Sequence, residues 1–336
     1  MNKASARNTI SLLVATLFFS IISISASAEP PKMKMTTEIP PQITTPDKVE
    51  TRLGTLEFFD GIPTEATAEK VFDNLDFLRG VEVFLNGCPG ASMVALREGL
   101  RDMGAVDGTI FIAETLMNAR SLFLTPNTES IYSGTWLDLK DGPIVVESPP
   151  NILGILNDFW FRYVADLGNA GPDQGQGGKF LFVGPDYEGE LPEGYFVFRS
   201  PTNGNAFLMR GFLVDGDPQP GVESIKKHVR VYPLSRADSP PGQKFINASG
   251  LEINTVHGND FTFFEELNQI VQEEPAESLD PELLGLFASI GIKKGQPFEP
   301  DERMKQILTE AAAVGNATVR SIYFRGRDKA AYQYDN

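Results

Sequence analysis

Thr125-Pro126-Asn127-Thr128-Glu129-Ser130-Ile131-Tyr132-Ser133 is the stretch whose reading decides the fold, and it runs on into Trp136-Leu137-Asp138-Leu139. Pro126 and Asn127 favour a turn, through a fixed φ and side-chain bonding to the local backbone. The period of two that follows belongs to a strand with one buried face. The same period recurs as far as Leu234, predicting strands over Ile131 to Leu139, Pro143 to Glu147, Ile155 to Val164, Lys179 to Val183, Tyr195 to Arg199, Asn205 to Val214 and Val229 to Leu234. The breaks are turn-rich: Asp141-Gly142, Pro149-Pro150, the glycine-rich loop Gly168 to Gly178, Pro192-Glu193-Gly194 and Asp215-Gly216-Asp217. Short strands punctuated this way predict an antiparallel β-sandwich, and without helical crossovers parallel strands are not expected.

Helical patterns flank this region. Val71, Phe72, Leu75, Leu78, Val81, Phe84 and Leu85 recur at spacings of three and four, and Asn86-Gly87-Cys88-Pro89-Gly90 predicts a stop. A second helix carries Met93, Val94, Leu96 and Leu100, so an N-terminal helical pair packs as a lid on the sheet. After Pro240-Pro241-Gly242 come Phe263, Phe264, Leu267, Ile270 and Val271, then a start at Asp280-Pro281 ending at Gly291, then a helix from Asp301 to Gly315. Thr318-Val319-Arg320-Ser321-Ile322-Tyr323-Phe324-Arg325 is β-prone and reads as a strand with an open edge, which offers a route to a homo-oligomer.

The chain of 336 residues opens with Lys3 and Arg7, an apolar run from Ile10 to Ile24, and Ala26-Ser27-Ala28. This is the pattern of a secretory signal peptide cut after Ala28, too short and serine-rich for a membrane span. The expected location is therefore periplasmic or extracellular. Its loss moves the formal charge of -16 two units further negative. Such an acidic body is repelled by nucleic acid and by anionic lipid. Cys88 is the only cysteine, so no intrachain disulfide forms, and the thiol reads as buried and inert.

With only His228 and His257, histidine-rich metal sites have no basis, and no hydrolase elbow, phosphate loop or dinucleotide fingerprint is present. The sequence implies no cofactor and no metal. Carboxylates carry the remaining chemistry: Glu129, Asp138, Asp158, Asp166 and Asp173 all lie in the sandwich region. Asp158, Trp160 and Arg162 share a parity on an extended strand, which would put a charge, an indole and a guanidinium on one face. There they would bind a small polar ligand, or make a surface ion pair beneath a tryptophan that covers the helices. Asn127, Tyr132 and Asp173 complete the ligand-binding set, although Asn127 serves equally as a turn cap. A hydrolase-type alternative uses Glu129 and Asp158 as acid and base.

The run from Thr125 to Tyr132, Trp160-Phe161-Arg162-Tyr163, the loop from Gly171 to Phe180, and Arg210-Gly211-Phe212-Leu213-Val214-Asp215-Gly216 together resemble the bacterial exported proteins carrying domain of unknown function 1254, usually followed by domain of unknown function 1214. The resemblance covers roughly Thr64 to Gly315, with Glu129 standing where many relatives have Asp. It implies an immunoglobulin-like sandwich, then a helical module, then a jelly roll of which only the start is present. The expected class is thus α+β, with an immunoglobulin-like antiparallel β-sandwich, an N-terminal helical pair and a small C-terminal helical module. The expected parts are a signal peptide over 1–28, a flexible tether over 29–63, the lid and sandwich over 64–240, the helical module over 241–315, and a shortened jelly-roll strand region over 316–336. The expected role is binding of a small polar ligand or an envelope-associated structural task.

Overall fold

The computed structural model describes residues 39–124 and 126–328. The signal peptide, the first part of the tether, Thr125 and the last eight residues lie outside the described residues. The chain divides into two compact units, residues up to Thr67 and residues from Ala68 onward.

Within the first unit, β1 (Lys48–Thr51), β2 (Gly54–Phe59) and β3 (Ile62–Pro63) form a small antiparallel meander. Lys48 and Glu57 face each other across β1 and β2 and pair at 2.9 Å. Asp60 and Gly61, at φ 49° and 81°, make the two-residue turn whose twist suits a hairpin. This part of the expected tether is therefore folded, and the sequence missed it because alternation over so few residues is faint.

The second unit is built around α1 (Glu65–Met103), the long helix that leads into it. The expected stop at Asn86 to Gly90 does not occur, and one 39-residue helix replaces the helical pair. Tertiary contact decides here against local propensity. A methyl group at Gly87 would lie 2.8 Å from Leu267, and one at Gly90 would lie 2.8 Å from the Trp160 ring. The glycines are therefore the points where neighbours touch the helix, and the burial they allow outweighs about 1 kcal/mol of lost propensity each.

The strands that follow are β4 (Ile110–Ile112), β5 (Ser121–Leu122), β6 (Ile131–Asp138), β7 (Ile144–Ser148), β8 (Ile152–Asp158), β9 (Tyr163–Gly168), β10 (Gly178–Val183), β11 (Phe196–Arg199) and β12 (Gly204–Gly211). After α2 (Gln219–His228) come β13 (Arg230–Pro233), β14 (Phe245–Asn247) and β15 (Ile253–Asn254). One sheet has the order β14-β4-β6-β12-β8-β9 and another β11-β10-β7-β13, while β5 and β15 pair separately. Every central pairing in the two larger sheets is antiparallel, as expected; β14 on β4, β11 on β10 and β15 on β5 are parallel.

Alternation along the strands sorts the side chains to two cores. Ile131, Leu137, Leu156, Phe207 and Met209 meet Val146, Phe180, Phe182 and Val231 of the second sheet, giving a sandwich-like pair of layers, with Val222 and Ile225 of α2 in the same cluster. Tyr132, Trp136 and Ala206 point the other way into a cluster shared with α1 and with α3 (Thr262–Glu273). Phe287 of α4 (Pro281–Ala288) and Leu308 of α5 (Glu302–Phe324) join that cluster.

Asp280 caps α4 through the Glu282 N–H and Asp301 caps α5 through the Met304 N–H, as expected. The β-prone stretch after Gly315 is not a strand: α5 runs through it to Phe324. Extending a helix that already exists needs no new nucleus, and this segment has no strand partner among the described residues. Thr318 and Ser321 also donate their hydroxyls to the carbonyls four residues back.

Candidate functional site

The residues singled out around Asp158 form a turn rather than a ligand face. β8 ends at Asp158, and residues 159–162 close the hairpin to β9 with Phe161 at φ 62°. The Asp158 carboxylate is fully buried and accepts hydrogen bonds from the Trp160 N–H (2.9 Å), the Arg162 N–H (2.8 Å) and Arg162 Nε (2.7 Å). The shared parity fails because the chain is not extended there. Trp160 is buried, donates from Nε1 to the Ser278 hydroxyl (3.0 Å) and stacks near Phe287. Arg162 reaches the Ser278 carbonyl at 2.6 Å. Together they fasten the hairpin turn to the short helical turn Ala276–Ser278.

The other expected residues divide in the same way. Asn127 accepts from the Glu129 N–H and the Ser130 hydroxyl, so it caps its own turn, and Glu129 is exposed beside it. Asp173 accepts the Gly168 N–H through Oδ1 at 2.8 Å and organises the glycine-rich loop; its Oδ2 is buried without a partner among the described residues. Tyr132 alone of the set lines a well-formed cleft.

That cleft, about 330 Å³, lies between the helix-facing side of the six-stranded sheet and the wall formed by Leu96 and Phe123. Its floor is a grid fixed by hydrogen-bond register. One row runs Tyr132, Arg210, Leu153 across β6, β12 and β8; the next runs Gly134, Leu208, Ile155, Asp166 out to β9; Ala206 and Asn157 lie in the third. Gly134 is required where it stands, since a Cβ there would lie 2.3 Å from the Phe207 carbonyl oxygen. The Arg210 guanidinium sits 5.9 Å from the Tyr132 ring centre, and neither Arg210 nor Asp166 has an ion-pair partner among the described residues. The floor thus offers one cation resting on an aromatic face, one carboxylate, the largely buried Asn157 amide, and apolar surface between them.

Sequence reasoning reached Asp166 as one carboxylate among several and Arg210 only within a motif. The available signal was parity: Arg210 shares its face with Leu208 and Ala206, so it is a charge on an otherwise apolar row. A larger hollow of about 670 Å³ opens beside Arg101, Asp107, Asp138, Asp141 and Tyr232. Three of its polar groups are already engaged: Arg101 bonds Glu98, the Asp138 carboxylate accepts the Lys140 N–H, and the Tyr232 hydroxyl donates to Glu147. Burial, with that bond to Glu147, pushes the Tyr232 phenol well above its ordinary value. The smaller cleft is the better candidate despite its size, because its arginine rests on an aromatic face without an ion-pair partner among the described residues, whereas the one arginine of the larger hollow is tied to Glu98. Among the described residues no group of three or more His, Cys, Asp or Glu is placed to hold a metal ion, and no helix is long and apolar enough to cross a membrane.

Residues 108–233 match the family described as protein of unknown function (DUF1254), in agreement with the resemblance carried by the motifs. The matched segment spans β4 to β13 and so includes the whole floor of the cleft. No curated protein matches the chain. Among solved structures, the VPA0106 protein from Vibrio parahaemolyticus is similar at 18% identity, over 72% of this chain and 59% of that one, with a TM-score of 0.49. This chain therefore accounts for less than two thirds of that protein's length.

Proposed function

We propose that this chain is a binding protein for a small organic ligand carrying an anionic group, with the cleft over β6, β12 and β8 as its site. The observation that carries the reading is Arg210, a guanidinium without an ion-pair partner among the described residues, held by a central strand over the Tyr132 ring at the mouth of an apolar-walled hollow. Unpaired arginine on a rigid floor is pre-arranged for a carboxylate, and about 330 Å³ is at the lower end of small-ligand pockets. The exported setting read from the first twenty-eight residues belongs to the same proposal. Paired-carboxylate hydrolysis has no comparable support, because Asp158 has three N–H donors on its carboxylate and no exposure.

The test is a calorimetric screen of small carboxylates against the wild-type chain and against Leu208→Trp, which fills the floor. Binding that is lost in Leu208→Trp and weakened in Arg210→Gln supports the site. Carboxylates that bind both variants as well as the wild type place binding elsewhere and overturn it.

A further inference from the structure

We infer, resting on the cleft as a ligand site, that its ligand is a zwitterion of extended shape, with a carboxylate held at Arg210 and an ammonium held at Asp166. Both residues stand on the same face of one sheet, and register fixes their separation. Asp166 lies opposite Ile155, which lies opposite Leu208, and Arg210 is two residues further along that strand. Two strand spacings across and two residues along place the Cα atoms about 12 Å apart. Arg210 leans toward Tyr132 on β6, away from β9, and at about 12 Å two charges in water attract by only ~0.3 kcal/mol, so the two do not neutralise each other and both remain open to a ligand.

The surface between them is apolar, with Leu153, Ile155 and Leu208 on the floor and Leu96 on the wall. A ligand with a polar group at one end only would leave the other charge to water and gain nothing from it. One that is polar throughout would bury polar atoms against leucine and isoleucine with no partner. A hydrocarbon spacer with opposite charges at its ends satisfies the whole row.

The probes are ω-aminooctanoate, whose charged ends stand about 10 Å apart when extended, with octanoate and octylamine as its one-ended counterparts. Calorimetry on the full chain should show ω-aminooctanoate binding about tenfold tighter than either. Asp166→Asn should abolish that margin over octanoate. Asp166→Lys should reverse the preference toward the dicarboxylate suberate, a gain that a merely misfolded variant cannot give. Octanoate binding as tightly as ω-aminooctanoate, with Asp166→Asn changing neither, overturns the zwitterion but leaves the cleft standing if Leu208→Trp still blocks octanoate. Failure of all three probes also overturns it, and the carboxylate screen then judges the cleft separately.

Discussion

The guanidinium of Arg97 lies 4.6 Å from the centre of the Phe159 ring, and that ring meets Trp136 edge-on at 4.8 Å. Arg97 is buried near the C-terminal end of α1, yet it pairs with Glu273 of α3 and with Glu98. One side chain therefore ties the long helix to α3 and to the turn after β8. Burial alone would raise the Glu273 carboxyl, but the hydrogen bond and charge of Arg97 outweigh it and hold the group below its ordinary value.

Glu273→Gln leaves a buried guanidinium with a weakened partner and should cost about 2–4 kcal/mol in urea unfolding. Glu98→Gln should cost under about 1 kcal/mol, because Glu98 is about half exposed. Equal losses would show that Glu273 has no special part.

Gly90→Ala separates propensity from packing. In an isolated helix the change gains about 1 kcal/mol. Here the new methyl would lie 2.8 Å from a Trp160 ring that Ser278 anchors, so the variant should lose about 1–2 kcal/mol instead. A rise in melting temperature would contradict the contact.

Asp158→Ala removes the acceptor for three N–H groups in a buried turn and should destabilise by about 3 kcal/mol or more. Tryptophan fluorescence should shift red, since the Trp160 N–H loses its acceptor and its indole its fixed seat. An unchanged emission maximum would count against this account of the turn.

Burial raises the Glu266 carboxyl to about 7, against the lowering effect of the Gly258 N–H, with Asp260 and Glu265 raising it further. Its folded value lies above its unfolded one, so its contribution is complete below the ordinary carboxylate value of 4.5 and is lost as pH rises through about 7. Wild type should therefore lose on the order of 1–2 kcal/mol relative to Glu266→Gln between pH 5 and pH 8, a figure already reduced for its partial contact with solvent. Parallel stability profiles for the two proteins would dispose of it.

Much of the sandwich was legible because alternation over five to eight residues is a strong signal: Ile131 to Leu139 and Lys179 to Val183 fall on β6 and β10 almost residue for residue. The stretch Ile155 to Val164 misled because Asp158, Trp160 and Arg162 mimic the parity of a strand while making a turn. Gly87, Pro89 and Gly90 misled for the opposite reason, since partners distant in sequence reward small residues at those points. Arg210 and Asp166 became a pair only once β8 was seen between β12 and β9, and strand order is not written in local pattern.

Along α1 the fixed points are Gly80 against Ala311, Gly87 against Leu267, Gly90 against Trp160 and Gly99 against the Asn254 backbone. Each residue added to a helix turns everything beyond it by about 100°. A single insertion between Gly80 and Gly99 would therefore swing some of these seats away from their occupants, whichever end stayed in place. Homologous chains should vary in length through the exposed 186–194 segment and keep the span from Gly80 to Gly99 constant to the residue.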